Sequence, residues 1–141
     1  MITKHGSAIW QGNLKEGTGK VSTQSGALSS NPYGFNTRFD GQPGTNPEEL
    51  IGAAHAACFS MALSNILSGK GIKVAKVETT STISLSMDDG PKIVKAHLDV
   101  SIQSDGDEDT VMACAKEAET GCPVSAVLSC EITMDAKVSA A

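Results

Sequence analysis

At 141 residues the chain has the length of one ordinary domain, and a single domain spanning 1–141 is expected. Apolar residues make up 40% of it and charged residues 19%, a globular balance that excludes a disordered chain. The net charge is −5, with Lys and Arg scattered, which makes nucleic acid and anionic membrane surfaces poor partners.

The opening Met1–Gly6 lacks the apolar h-region of a secretion signal, and no uninterrupted apolar run approaches the ~18 residues of a membrane span. A cytoplasmic protein is expected. In that setting Cys58, Cys114, Cys122 and Cys130 read as free thiols, catalytic groups or metal ligands rather than structural disulfides.

In chain order, Ser7–Trp10 and Lys20–Thr23 are short runs between glycines and read as strands joined by turns. Phe35, Thr37 and Phe39 alternate with Asn36, Arg38 and Asp40, so a strand there would set Arg38 on the face opposite the phenylalanines. Asn46-Pro47-Glu48-Glu49 then starts a helix: a cap residue, proline at the first helical position, and an acid three residues after the cap. The helix is expected to run to about Ser68, before Gly69 and Gly71. From Ile51 to Leu63 it is apolar on nearly every side, so it should be buried all round, under a wrapping sheet or a second subunit.

A hairpin follows. Val77, Ile83, Leu85 and Met87 share odd positions, Val94, Ala96, Leu98, Val100 and Ile102 share even ones, and Asp88-Asp89-Gly90-Pro91 makes the turn. Helices are predicted over Glu108 to about Ala118 and from Pro123 to Leu128, with a last strand alternating Cys130, Ile132, Met134, Ala136 and Val138. Strands and helices are partly segregated, which gives an α+β class with antiparallel sheets.

Among the thiols, Cys58 sits mid-helix among alanines, where a small buried hydrophobe of raised pKa is the plain reading unless a cation stands beside it. Cys122 precedes Pro123 at the start of a helix, where free N–H groups and the helix dipole favour thiolate. Cys114 and Cys130 read as core residues. His55 lies three residues before Cys58 on one helical face, which allows a Cys–His nucleophile or half a metal site, although a packed histidine is the simpler reading. No Cys-x-x-Cys or His-x-x-x-His pair is present, and no metal is expected. Glu48 is ten residues from Cys58, roughly 15 Å along a helix axis, and neither it nor Glu49 reaches that thiol within one chain.

Taken together, Asn31–Phe39, Gly44–Leu63 and Gly121–Ser125 make the chain resemble the OsmC/Ohr family of hydroperoxide reductases, and its OsmC branch in particular, over essentially the whole length. The resemblance implies antiparallel sheets packed around a long buried central helix in an intertwined homodimer with the reactive sites at the interface. It implies Cys58 as the peroxidatic cysteine and Cys122 as the resolving one, with Arg38 and Glu48 as the arginine and glutamate of the site and that glutamate reaching across the interface. It implies reduction of organic hydroperoxides, and more weakly hydrogen peroxide, with an external dithiol as reductant and no cofactor. An arginine beside Cys58, held by Glu48, would keep the thiol ionised inside an apolar helix. Two other classes stay in view: a Cys58–His55 acyl or peptidyl transferase, and a binding or structural homodimer with inert thiols.

Overall fold

A computed structural model describes all of residues 1–141. The elements run β1 (Gly6–Gln11), β2 (Thr18–Thr23), β3 (Asn31–Tyr33), α1 (Phe35–Phe39), α2 (Pro47–Gly69), β4 (Val74–Ser86), β5 (Lys92–Ser104), α3 (Glu108–Gly121), α4 (Pro123–Val127) and β6 (Glu131–Ala140). The chain divides into two compact units, Met1–Leu50 and Ile51–Ala141.

In the first unit β1, β2 and β3 form an antiparallel sheet in that order, with Ala8 opposite Val21 and Gly19 opposite Tyr33. Trp10 and Tyr33 bring their rings to 5.7 Å around Gly19. A β-carbon on Gly19 would come within 2.5 Å of the Tyr33 ring, so only glycine lets the two aromatics close over the sheet. Phe35–Phe39 is helical, where the alternation predicts a strand. The same residues satisfy a helix because Phe35 and Phe39 are four apart, and their rings meet at 4.7 Å between centroids, tilted by 46°. Thr37 Oγ1 fixes the start of the turn, accepting from Gly34 N–H and donating to Gly34 O, both at 2.8 Å.

In the second unit β4, β5 and β6 form a three-stranded sheet with β5 in the centre. The β4–β5 hairpin is antiparallel, as expected, and Gly90 supplies the left-handed turn residue at φ 86°. The expectation of purely antiparallel sheets does not extend to the last strand: β6 runs parallel to β5, Ala96 opposite Ile132 and Val100 opposite Ala136. A parallel pair needs a crossover of a dozen or more residues, and α3 with α4 provides it. Inward-facing Leu98, Val100 and Ile102 of β5 meet Val111, Ala115 and Ala118 of α3 and Phe59, Leu63 and Leu67 of α2 in one core.

The α2 helix begins as its sequence dictates, with Asn46 Oδ1 accepting from Glu49 N–H at 2.9 Å. Its buried residues are Gly52, His55, Phe59, Leu63 and Leu67, spaced three or four apart on a single stripe. The chain does not bury the helix all round: Ala53, Ala54, Ala57 and Met61 stay exposed, Met61 at 74%. The helix is also long and apolar enough, by length and composition, to cross a membrane, against the reading of the raw sequence. The core packing of Phe59, Leu63 and Leu67 accounts for much of that apolarity.

Gly52 marks the closest approach of α2 to the sheet. A β-carbon there would lie 2.7 Å from the Ser81 carbonyl oxygen of β4. Gly52→Ala, which helix propensity alone would favour by about 1 kcal/mol, is therefore expected to destabilise by about 1–3 kcal/mol through overpacking against backbone, read as a lower urea midpoint.

Candidate active site

Four side chains singled out by the sequence meet as two pairs, one in each unit. In the first unit Arg38 engages Glu48 through both ends of its guanidinium: Nε lies 3.1 and 3.0 Å from the two carboxylate oxygens, and Nη2 also donates to Oε1. This is the planar two-point match that favours arginine over lysine. Three local features build it. The α1 turn presents Arg38; Asn46 donates from Nδ2 to Thr37 O at 3.4 Å while capping α2; and Glu48 occupies the first turn of α2. Burial pushes the Glu48 carboxyl up, but hydrogen bonds from Arg38 and its own backbone N–H outweigh it, and the carboxyl is held below its usual range. The Glu48 hydrogen bond likewise raises the Arg38 pKa against the effect of burial. The pair is thus ionised on both sides at neutral pH.

In the second unit the Cys58 thiol has the Cys122 thiol and the Val124 backbone N–H as neighbours that act on its proton affinity. Cys58 is half-buried and packs on the core, while Cys122 is fully buried within it. Cys122 ends α3 by donating its N–H to Ala118 O and caps α4, its sulfur accepting from Ser125 N–H at 3.3 Å, with Pro123 at the first helical position as the sequence predicts. Burial pushes the Cys58 thiol up, the Val124 N–H offsets part of this, and the neighbouring Cys122 raises it further. Within this unit Cys58 is held as a thiol.

His55 sits fully buried, with Nδ1 2.7 Å from Ser81 Oγ and Nε2 2.9 Å from Ser125 Oγ. Both ring nitrogens are engaged by serines, so neither is paired with Cys58, which removes the geometric basis for a Cys–His nucleophile. Cys114 is buried in the core as expected. Cys130 is not part of that core; it is half-buried just ahead of β6, whose inward stripe begins at Ile132. The sequence reading also missed a cluster on the outer side of the second sheet, where His97 Nε2 lies 3.4 Å from Asp99 and 3.3 Å from Asp135. Asp99 and Asp135 face each other only because β5 and β6 are parallel.

The OsmC-like protein family model matches residues 39–137, most of the chain. The chain belongs to the OsmC family. This OsmC-family chain is 52% identical to the peroxiredoxin OsmC of Escherichia coli (strain K12) over 136 residues, 95% of each protein. Its fold superposes on the crystal structure of the organic hydroperoxide resistance protein OhrB of Bacillus subtilis with a TM-score of 0.74 at 27% identity, covering 94% of this chain and 98% of that one. An OsmC-like protein from Mycoplasma pneumoniae shares the fold at a TM-score of 0.74 and 16% identity, over 97% of both chains. The α+β architecture expected for the OsmC-family chain is thereby established.

Proposed function

We propose that this OsmC-family chain is a thiol-dependent peroxidase that reduces organic hydroperoxides, and hydrogen peroxide more weakly, through a disulfide cycle of Cys58 and Cys122. The observation carrying this reading is that the two thiols are neighbours close enough for each to influence the other's proton, as a disulfide cycle requires. Cys58 gives up its thiol proton and the thiolate attacks one peroxide oxygen; the O–O bond breaks, the sulfur becomes sulfenic acid, and the alkoxide takes up one proton, equal to the one the thiol released, and leaves as alcohol. Cys122 then displaces hydroxide from that sulfur and closes the disulfide, which keeps Cys58 from irreversible oxidation. An external dithiol restores both thiols by exchange. The chemistry asks for no metal or organic cofactor.

The thiolate needs a cation, and burial at Cys58 works against it. Arg38, oriented by Glu48, is the group proposed to supply it, and to stabilise the charge that develops on the leaving oxygen. The pair is proposed to arrive from a second copy of the chain. That copy would also cover the exposed stripe of Ala53, Ala54, Ala57 and Met61 on α2, where the three alanines permit close helix approach. On this reading residues 1–141 work as one domain, in a reducing cytoplasm that keeps all four cysteines free.

The test is a thiol titration of the reduced protein before and after one equivalent of cumene hydroperoxide. Loss of two thiols per chain, traced by peptide mapping to Cys58 and Cys122, is the expected result. Unchanged thiols would instead identify a binding or structural protein with inert cysteines.

A further inference from the structure

Cys122 has a problem of chemistry that its burial creates. To attack a sulfenic acid it must lose its thiol proton, yet it is fully shielded from water. Apart from Cys58, the acceptor its thiol meets is Ser125 Oγ, at 3.2 Å. A serine hydroxyl has one proton to pass on, and Nε2 of His55 stands 2.9 Å away to receive it. Nδ1 then carries the ring hydrogen and donates to Ser81 Oγ at 2.7 Å, an assignment made from the direction of the network. Ser125 is itself 4% exposed and His55 completely buried. Three elements, α2, β4 and α4, thus bring His55, Ser81 and Ser125 together across separations of 26 and 70 residues, in a line that ends on a sulfur.

We propose that Ser125 and His55 form the proton path that activates Cys122 for disulfide closure. The proposal rests on the peroxidase reading above. As the Cys122 sulfur bonds to the Cys58 sulfur, the S–O bond of the sulfenic acid breaks and hydroxide leaves. The Cys122 proton passes to Ser125 Oγ while the Ser125 proton passes to His55 Nε2. Return of that proton to the hydroxide gives one water, so sulfenic acid plus thiol becomes disulfide plus water. The Cys58 sulfur is reduced, the Cys122 sulfur oxidised, and no oxidant enters beyond the peroxide of the first step. In this scheme Ser125 touches a reacting atom and His55 is a positioning residue acting through it.

The path requires a neutral imidazole, and its surroundings keep it so. The titratable groups on the inner faces of this unit are thiols: Cys58 on α2, Cys114 on α3 and Cys122 ahead of α4. β4 contributes Thr79 and Ser81 and β5 contributes Ala96 and Leu98, none of them charged. Burial is accordingly the one influence on His55, and it lowers the pKa from the ordinary 6.5. Disulfide closure should therefore hold its rate through neutral pH and fall only below that value.

The experiment is a single turnover of the full-length reduced protein with one equivalent of cumene hydroperoxide across pH, following sulfenic acid by dimedone trapping and disulfide by peptide mass. For His55→Gln the ratio of disulfide closure to sulfenic acid formation should drop by about 10²-fold, the size of a lost acid–base group. The acid-side inflection of closure should vanish with it. Ser125→Ala cuts the same path while leaving the core imidazole in place, and should give the same drop should the histidine variant fail to fold. Unaltered ratio and inflection in a folded variant, judged by its sulfenic acid formation, would overturn the proton path alone. A wild-type protein that never forms sulfenic acid would overturn the peroxidase reading, and this path with it.

Discussion

Cys58→Ser is expected to leave no measurable peroxide consumption, while Cys122→Ser completes one turnover and stops. The asymmetry follows from the division of labour proposed for the pair. A hydroxyl at 58 remains protonated at neutral pH and is a far weaker nucleophile toward a peroxide oxygen than a thiolate. With serine at 122, Cys58 still reaches sulfenic acid but has no thiol beside it. The sulfenic acid then persists and, with excess peroxide, advances to the sulfinic and sulfonic acids. Mass analysis of the Cys58 peptide after stepwise addition of cumene hydroperoxide reads both outcomes. Normal turnover by Cys58→Ser would remove that residue from the chemistry.

Arg38→Met should slow the attack on peroxide by about 10²–10³-fold, the range seen when one preorganised charge-stabilising donor is lost. Burial and Cys122 both hold the Cys58 thiol above its ordinary pKa, and the Val124 N–H offsets only part of this. Without a guanidinium the thiolate fraction at neutral pH shrinks, and the rate profile moves to higher pH. Methionine approximates the length and apolar stem of arginine, so the change isolates the charge. Glu48→Gln should act in the same direction and more weakly, because it loosens the guanidinium rather than removing it. Stopped-flow rates against pH decide the matter; an unchanged profile in Arg38→Met would remove the guanidinium from the mechanism.

Local signals in the sequence carried the elements well where one competing structure was excluded. Asn46 followed by Pro47 and Glu49 admits little but a helix start, and the chain begins α2 there. Phe35–Phe39 did not exclude its rival, since two aromatics four residues apart suit a strand face and a helix face alike, and the Thr37 contact with Gly34 tips it to helix. The parallel β5–β6 pair was within reach, for two predicted helices between two strands are the crossover a parallel pair requires. The family's long strings singled out Cys58, Cys122, Arg38 and Glu48, and the chain sets Arg38 against Glu48 and Cys58 beside Cys122. The geometry around His55 was not, because Ser81 and Ser125 carry no pattern in sequence and meet the imidazole only after the second unit closes.

Met61 adds a chemical vulnerability to the bare stripe of α2. Its thioether is 74% exposed, three residues beyond the sulfur proposed to meet hydroperoxides. Oxidation there gives a polar, chiral sulfoxide in the middle of an otherwise apolar strip. In the proposed homodimer, self-association over this surface would shelter the methionine from hydroperoxide, and the proposed seam would double as protection against oxidative damage.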